Sequence, residues 1–154
     1  MKEIRDIVLE NAGDTVKENI DQVKEAYRLV VKMAYICREV GLLALEEEAG
    51  SLSMEVPLRA SFIKMVQMIV DGTDPKIISE VLTIKCKVNK YTGIEGILYY
   101  AYARSILLIQ AAETPYNLEL FFNALIPDDV MPFDEQQKIV EKEKQRLEKS
   151  GFFE

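Results

Sequence analysis

Apolar residues early in the chain recur at alternating spacings of four and three: Val16, Ile20, Val23, Tyr27, Val30, Ala34, Cys37, Gly41 and Ala44. That is a heptad seam on a helix. A second apolar row begins partway along, at Ala26, Leu29, Met33, Ile36, Val40 and Leu43. The pattern therefore predicts one long helix over 14–49, narrowly amphipathic at first and broadly buried later. Asp14 or Thr15 suits its N-cap and Gly50 its end. Few globular helices are this long. Two outcomes stay open: a kink near Gly41, and a homo-oligomer formed through the Val16–Ala44 helix.

Further helices follow at short intervals. Pro57 suits the first turn of a helix with Phe62, Met65, Val66, Ile69 and Val70 on one wide face, ending at Gly72. Asp74 as N-cap and Pro75 at the first helical position open the next, which runs to about Lys87. Thr92 and Glu95, three apart, form a capping box for a helix over 93–112 that is apolar nearly all round. This predicts the central buried helix. Thr114 and Pro115 open another helix, with Leu118, Phe121, Phe122 and Leu125 inward and Pro127 at its end. Asp134 caps a last helix over 134–149, whose Glu and Lys mixture reads as solvated and supported by i,i+4 pairs. Phe152 and Phe153 are placed to tack the tail onto the body. No strand pattern, internal repeat or dividing linker appears. The expectation is all-α: a single-domain helical bundle of about five to six helices with a long N-terminal helix.

Composition narrows the chemistry. The 154 residues are enough for one real core, and the formal charge is −7. An acidic chain does not attract nucleic acid, which needs a basic patch to release counterions, so no nucleic-acid partner is expected. There is no histidine, so the commonest general base and metal ligand is missing and Ser-His-Asp or Cys-His systems cannot form. Cys37 and Cys86 are far apart and read as two reduced core thiols. No catalytic, metal or cofactor-binding set emerges, and the chain reads as no enzyme. The start of the chain lacks the apolar core of a signal peptide. The longest apolar stretch, 97–112, is too short for a span and carries Arg104. A cytoplasmic protein without a membrane span is expected. Arg104 calls for an ion-pair partner, with Glu95, Glu113 or a carboxylate of another helix as candidates.

Two runs carry more specific information. The first is Arg38–Glu46, reading REVGLLALE, with Glu47 and Glu48 behind it; the second is Val70–Pro75, reading VDGTDP. Together, within 35–82, they resemble the cytoplasmic domain of the flagellar stator protein MotA, of the MotA/TolQ/ExbB proton-channel family. Members of that family place two transmembrane helices before this domain and two after it. The flanking residues here are of another kind, so ion conduction is not implied. The resemblance implies a protein-interaction module. In MotA the domain meets the rotor protein FliG through charged residues, and an Arg and a Glu eight apart match Arg38 and Glu46. On one continuous helix that spacing would set the two side chains roughly 80° apart on one broad face, with about 12 Å of rise between them. They would meet separate charges on a partner, which sets orientation and on-rate more than affinity.

The candidate partner-binding residues are therefore Arg38, Glu46, Glu47 and Glu48. The plainer reading is that Arg38 pairs within its own fold and the three glutamates form a solvated helix end. Acidic residues at a helix C-terminus oppose the dipole, however, which favours a partner or a tertiary role for at least one of them. VDGTDP itself reads as two helix ends meeting, with no ligand. Two functions are carried forward: a MotA-like module that binds a FliG-like rotor component or a regulatory partner, and a general helical scaffold or dimerisation protein.

Overall fold

The computed structural model describes residues 1–151. It is all-α: α1 Lys2–Val8, α2 Ala12–Glu18, α3 Ile20–Glu39, α4 Leu42–Gly50, α5 Arg59–Val70, α6 Pro75–Val88, α7 Gly93–Gln110, α8 Pro115–Ala124 and α9 Phe133–Lys149. Nine helices thus stand, among the described residues, where about five to six were expected. Phe152 and Phe153 lie outside the described residues.

The long N-terminal helix is divided. Asn19, at φ −124°, ends α2, and its carboxamide donates back to the Thr15 carbonyl at 2.9 Å. A side chain that bonds its own helix competes with the next backbone turn, so the chain restarts at Ile20. Gly41 makes the second break. Neither Asp14 nor Thr15 is a cap; both lie inside α2, whose N-cap is Asn11 in the left-handed region. The heptad seam survives the cuts but faces inward. Val16, Val23, Tyr27, Val30 and Ala34 are buried in the chain's own core, so the seam offers a second copy no grip. The expected oligomer through Val16–Ala44 gains no support from these residues.

α7 is the axis of the fold, as its all-round apolar pattern predicts. It packs against α1, α2, α3, α5, α6 and α8, and Ile97 to Ala103 are all buried. Tyr102 is fully enclosed, and its hydroxyl donates to the Pro57 carbonyl at 2.9 Å. Burying a ring of this size contributes about 1.5–3 kcal/mol. The hydrogen bond adds about 1 kcal/mol and ties the loop before α5 to the core. Pro57 therefore serves as an acceptor ahead of the helix: the N-cap is Leu58 at φ 50°, and α5 begins at Arg59. α3 is the second hub, against α4, α7, α8 and α9. The charged α9 is solvated on one side only. Gln136, Ile139, Val140, Glu143 and Leu147 form a buried stripe, and the helix packs on α3. It starts from Pro132, two residues earlier than an Asp134 cap would place it.

Other local chemistry follows the residues. Asp74 accepts from the Lys76 backbone N–H at 2.8 Å, with Pro75 at the first position of α6. Thr114 caps α8 in the same way, ahead of Pro115. Thr92 is the N-cap of α7, but the box with Glu95 does not close, since the Thr92 side chain makes no cap bond. Among the described residues, no helix is long and apolar enough to cross a membrane.

Candidate functional site

The site is built on the break between α3 and α4. The last turn of α3 closes when both Val40 and Gly41 donate to the Ile36 carbonyl, at 2.9 and 3.1 Å. Gly41 then turns out at φ 122°, ψ −179°, a backbone region open essentially to glycine alone. α4 starts at Leu42, with Leu45 donating to the Gly41 carbonyl at 3.2 Å and no side-chain cap. This turn sends Leu45 and Ala49 inward, toward α3 and α5, and leaves Val40, Leu42 and Leu43 in solvent. Leu43 is 79% exposed. Together with Ala44, Gly50, Glu46 and Glu47, Val40 and Leu43 line a shallow groove of about 630 Å³.

The charged candidates separate at this break. Arg38 is exposed on the last turn of α3 and opens onto a different cleft, about 420 Å³, walled by Ala34, Cys37, Ile109 and Leu118 with Glu113 at the rim. Glu46 and Glu47 are exposed on α4. The continuous-helix geometry for Arg38 and Glu46 is therefore corrected, because Gly41 puts them on different helices and in different hollows. Neither Arg38, Glu46 nor Glu47 has an ion-pair partner among the described residues. Glu48 differs. It is half-buried and pairs with Lys32 of α3, which clamps α4 against α3. Its role is tertiary, the outcome that acids opposed to a helix dipole had left open.

Beside Arg38 lies a buried polar cluster that sequence reasoning missed. Glu119 of α8 is buried, and it accepts from the Tyr35 hydroxyl and from the Gln137 amide, each at 3.4 Å. Burial holds the Glu119 carboxyl above the usual carboxylate range, and the two hydrogen bonds oppose this. The Tyr35 phenol is pushed up to about 12, first by burial and then by the Glu119 charge. Lys144 of α9 sits over the Tyr35 ring, 5.2 Å from its centroid. The cluster joins α3, α8 and α9. The only signal in the sequence was an acid between Leu118 and Leu120 in an apolar helix.

The remaining candidates take structural places. In VDGTDP, Gly72 at φ 76° donates to Ile69 and Thr73 donates to Met68, at 3.1 and 3.0 Å. This is the Schellman closure of a helix end. The Gln110 amide donates to the Thr73 carbonyl at 2.7 Å and pins the connector to α7. Arg104 has no carboxylate partner among the described residues, against the expectation; its guanidinium lies 5.8 Å from the centroid of the Phe121 ring. Cys86 is buried, Cys37 is half-buried, and burial pushes both thiols up. Among the described residues, no group of three or more acids and cysteines is placed to hold a metal ion. The chain matches no protein-family model, no curated protein and no solved structure.

Proposed function

We propose that the chain is a MotA-like protein-interaction module that docks a FliG-like rotor component, or a regulatory partner of that kind, at the Gly41 break and conducts no ions. One observation carries this reading. The segment of the REVGLLALE resemblance presents Val40, Leu42 and Leu43 to solvent, next in the chain to Arg38, Glu46 and Glu47, none of which is paired among the described residues. Exposed apolar side chains with charges at their margin are the usual make-up of a docking surface. The apolar residues supply affinity and the charges supply orientation. Arg38 and Glu46 contribute from two helices, so their spacing follows the α3–α4 hinge and not a single helical rise.

The test is binding to the purified C-terminal domain of FliG from the same organism, at two salt concentrations. Wild type is compared with Arg38→Glu, Glu46→Lys and Leu43→Asp. The reading requires binding that weakens with salt, that either charge reversal weakens, and that Leu43→Asp abolishes. No binding at about 50 μM, a concentration that detects standard free energies beyond roughly −6 kcal/mol, overturns the rotor partner.

A further inference from the structure

We infer that α6 is a self-association helix, and that two copies of this chain pair α6 against α6 in antiparallel sense. The inference concerns a different element from the Gly41 break and does not rest on the reading above. The inner face of α6 is engaged: Ile78, Leu82 and Cys86 are buried, and the helix packs on α7 and α1. Its outer face is apolar too. Ile77, Val81, Ile84 and Val88 are 54%, 43%, 54% and 67% exposed. Their spacings of four, three and four put all of them on one stripe, with the period of a coiled-coil seam. A surface helix normally turns charge outward, and four aliphatic side chains in one row on the solvent side leave the stripe without a partner.

Charge and side-chain shape identify the occupant. In seam terms Val81 and Val88 take the a positions, Ile77 and Ile84 the d positions, and Glu80 and Lys87 the g positions. Isoleucine at d is poorly suited to a parallel pair. Running antiparallel, each a residue meets a d residue of the other copy. Val81 then opposes Ile84, Ile77 opposes Val88, and all four side chains are covered with none left over. The same register sets g against g, so Glu80 of each copy faces Lys87 of the other, two pairs along one flank of the seam. A single patch that complements itself under a two-fold axis is an isologous interface. Glu80 has no ion-pair partner among the described residues. Among the described residues Lys87 holds only Glu3 of α1, in a pair that is largely solvent-exposed, and can be shared between two acids. A seam of two heptads is short, which places the dimer at the weak end of specific interfaces.

The experiment is the mass of the whole chain by sedimentation equilibrium from about 1 μM to about 1 mM, the range that spans weak association. Val81→Glu and Ile84→Glu should each raise the concentration of half-dimerisation by roughly tenfold or more, with helical content and thermal midpoint unchanged because both sites are exposed. Should either variant fail to fold, Val88→Asp, at the most exposed end of the stripe, repeats the test. Glu80→Lys and Lys87→Glu should each weaken the dimer by about threefold, and the double variant should restore it, since the swapped charges face each other again. A monomer throughout the range, or a dimer indifferent to Val81→Glu and Ile84→Glu, overturns the inference. A seam-dependent dimer that the double variant does not restore overturns the antiparallel register.

Discussion

Gly41 and Gly72 both close a helix and both take a backbone conformation with positive φ, yet the junctions they make differ in kind. At Gly72 the junction is closed by the chain's own groups. Two Schellman bonds close α5, Asp74 caps α6, Pro75 starts it, and Gln110 holds the connector from α7. At Gly41 the backbone turns through a more restricted region, the following helix has no side-chain cap, and three large apolar residues are left in solvent. The two junctions carry the two halves of one sequence resemblance. One half is accounted for by the fold and asks for no ligand. The other is built on a restricted turn and leaves Val40, Leu42 and Leu43 unengaged, the surface on which the proposed partner would dock.

Backbone substitution gives the largest test of that contrast. Among the described residues nothing lies within 4 Å of a Cβ placed at either glycine, so any loss comes from the backbone alone. At φ 122°, ψ −179°, an alanine at position 41 is expected to destabilise the fold by about 2 kcal/mol or more. At φ 76°, Gly72→Ala stays in the left-handed region and should cost about 1 kcal/mol. Denaturant unfolding of both variants measures the difference. If Gly72→Ala proves the more damaging, the Gly41 turn is not the strained junction and the contrast fails.

Next in size is the cap. Asp74→Ala removes the acceptor for the Lys76 N–H and is expected to destabilise by about 1 kcal/mol, read as a lower midpoint with an unchanged denaturant slope. No equivalent exists at the start of α4, where no side chain caps, so a capping residue has no counterpart to lose.

The same contrast explains what could be read from the sequence. Asp74-Pro75 and Thr114-Pro115 were legible because cap and proline chemistry is local, and both start helices where expected. α7 was legible because a helix apolar on every side has only one place to go. The divided N-terminal region was not. A heptad pattern records which side is buried, and it runs on unbroken where the chain bends at Asn19 with that side still turned to the core, and past Gly41, where Leu45 and Ala49 are buried in its place. Whether a seam faces its own domain or a second copy is decided by the helices that arrive later, here α7, α8 and α9. α1 went unread because a seven-residue helix with only Ile4 and Val8 buried gives too few turns for a period. The candidate site was half legible. Its residues stood in the motif, but the hinge that separates Arg38 from Glu46, and the Lys32 that claims Glu48, depend on tertiary placement. Glu119 was missed for the same reason, since its neighbours Tyr35 and Gln137 come from other helices.

The smallest expected effect is the most discriminating. Leu43 is 79% exposed and makes no part of the core, so Leu43→Asp should leave unfolding free energy within about 0.5 kcal/mol of wild type. Under the proposed docking reading, Leu43 contributes to binding and not to folding. Unfolding curves for Leu43→Asp and wild type that superimpose would leave binding as the only readout the residue moves. A loss of 1.5 kcal/mol or more, as for a packed leucine, would mean that Leu43 supports α4 from within. The Gly41 junction would then be as self-contained as the one at Gly72.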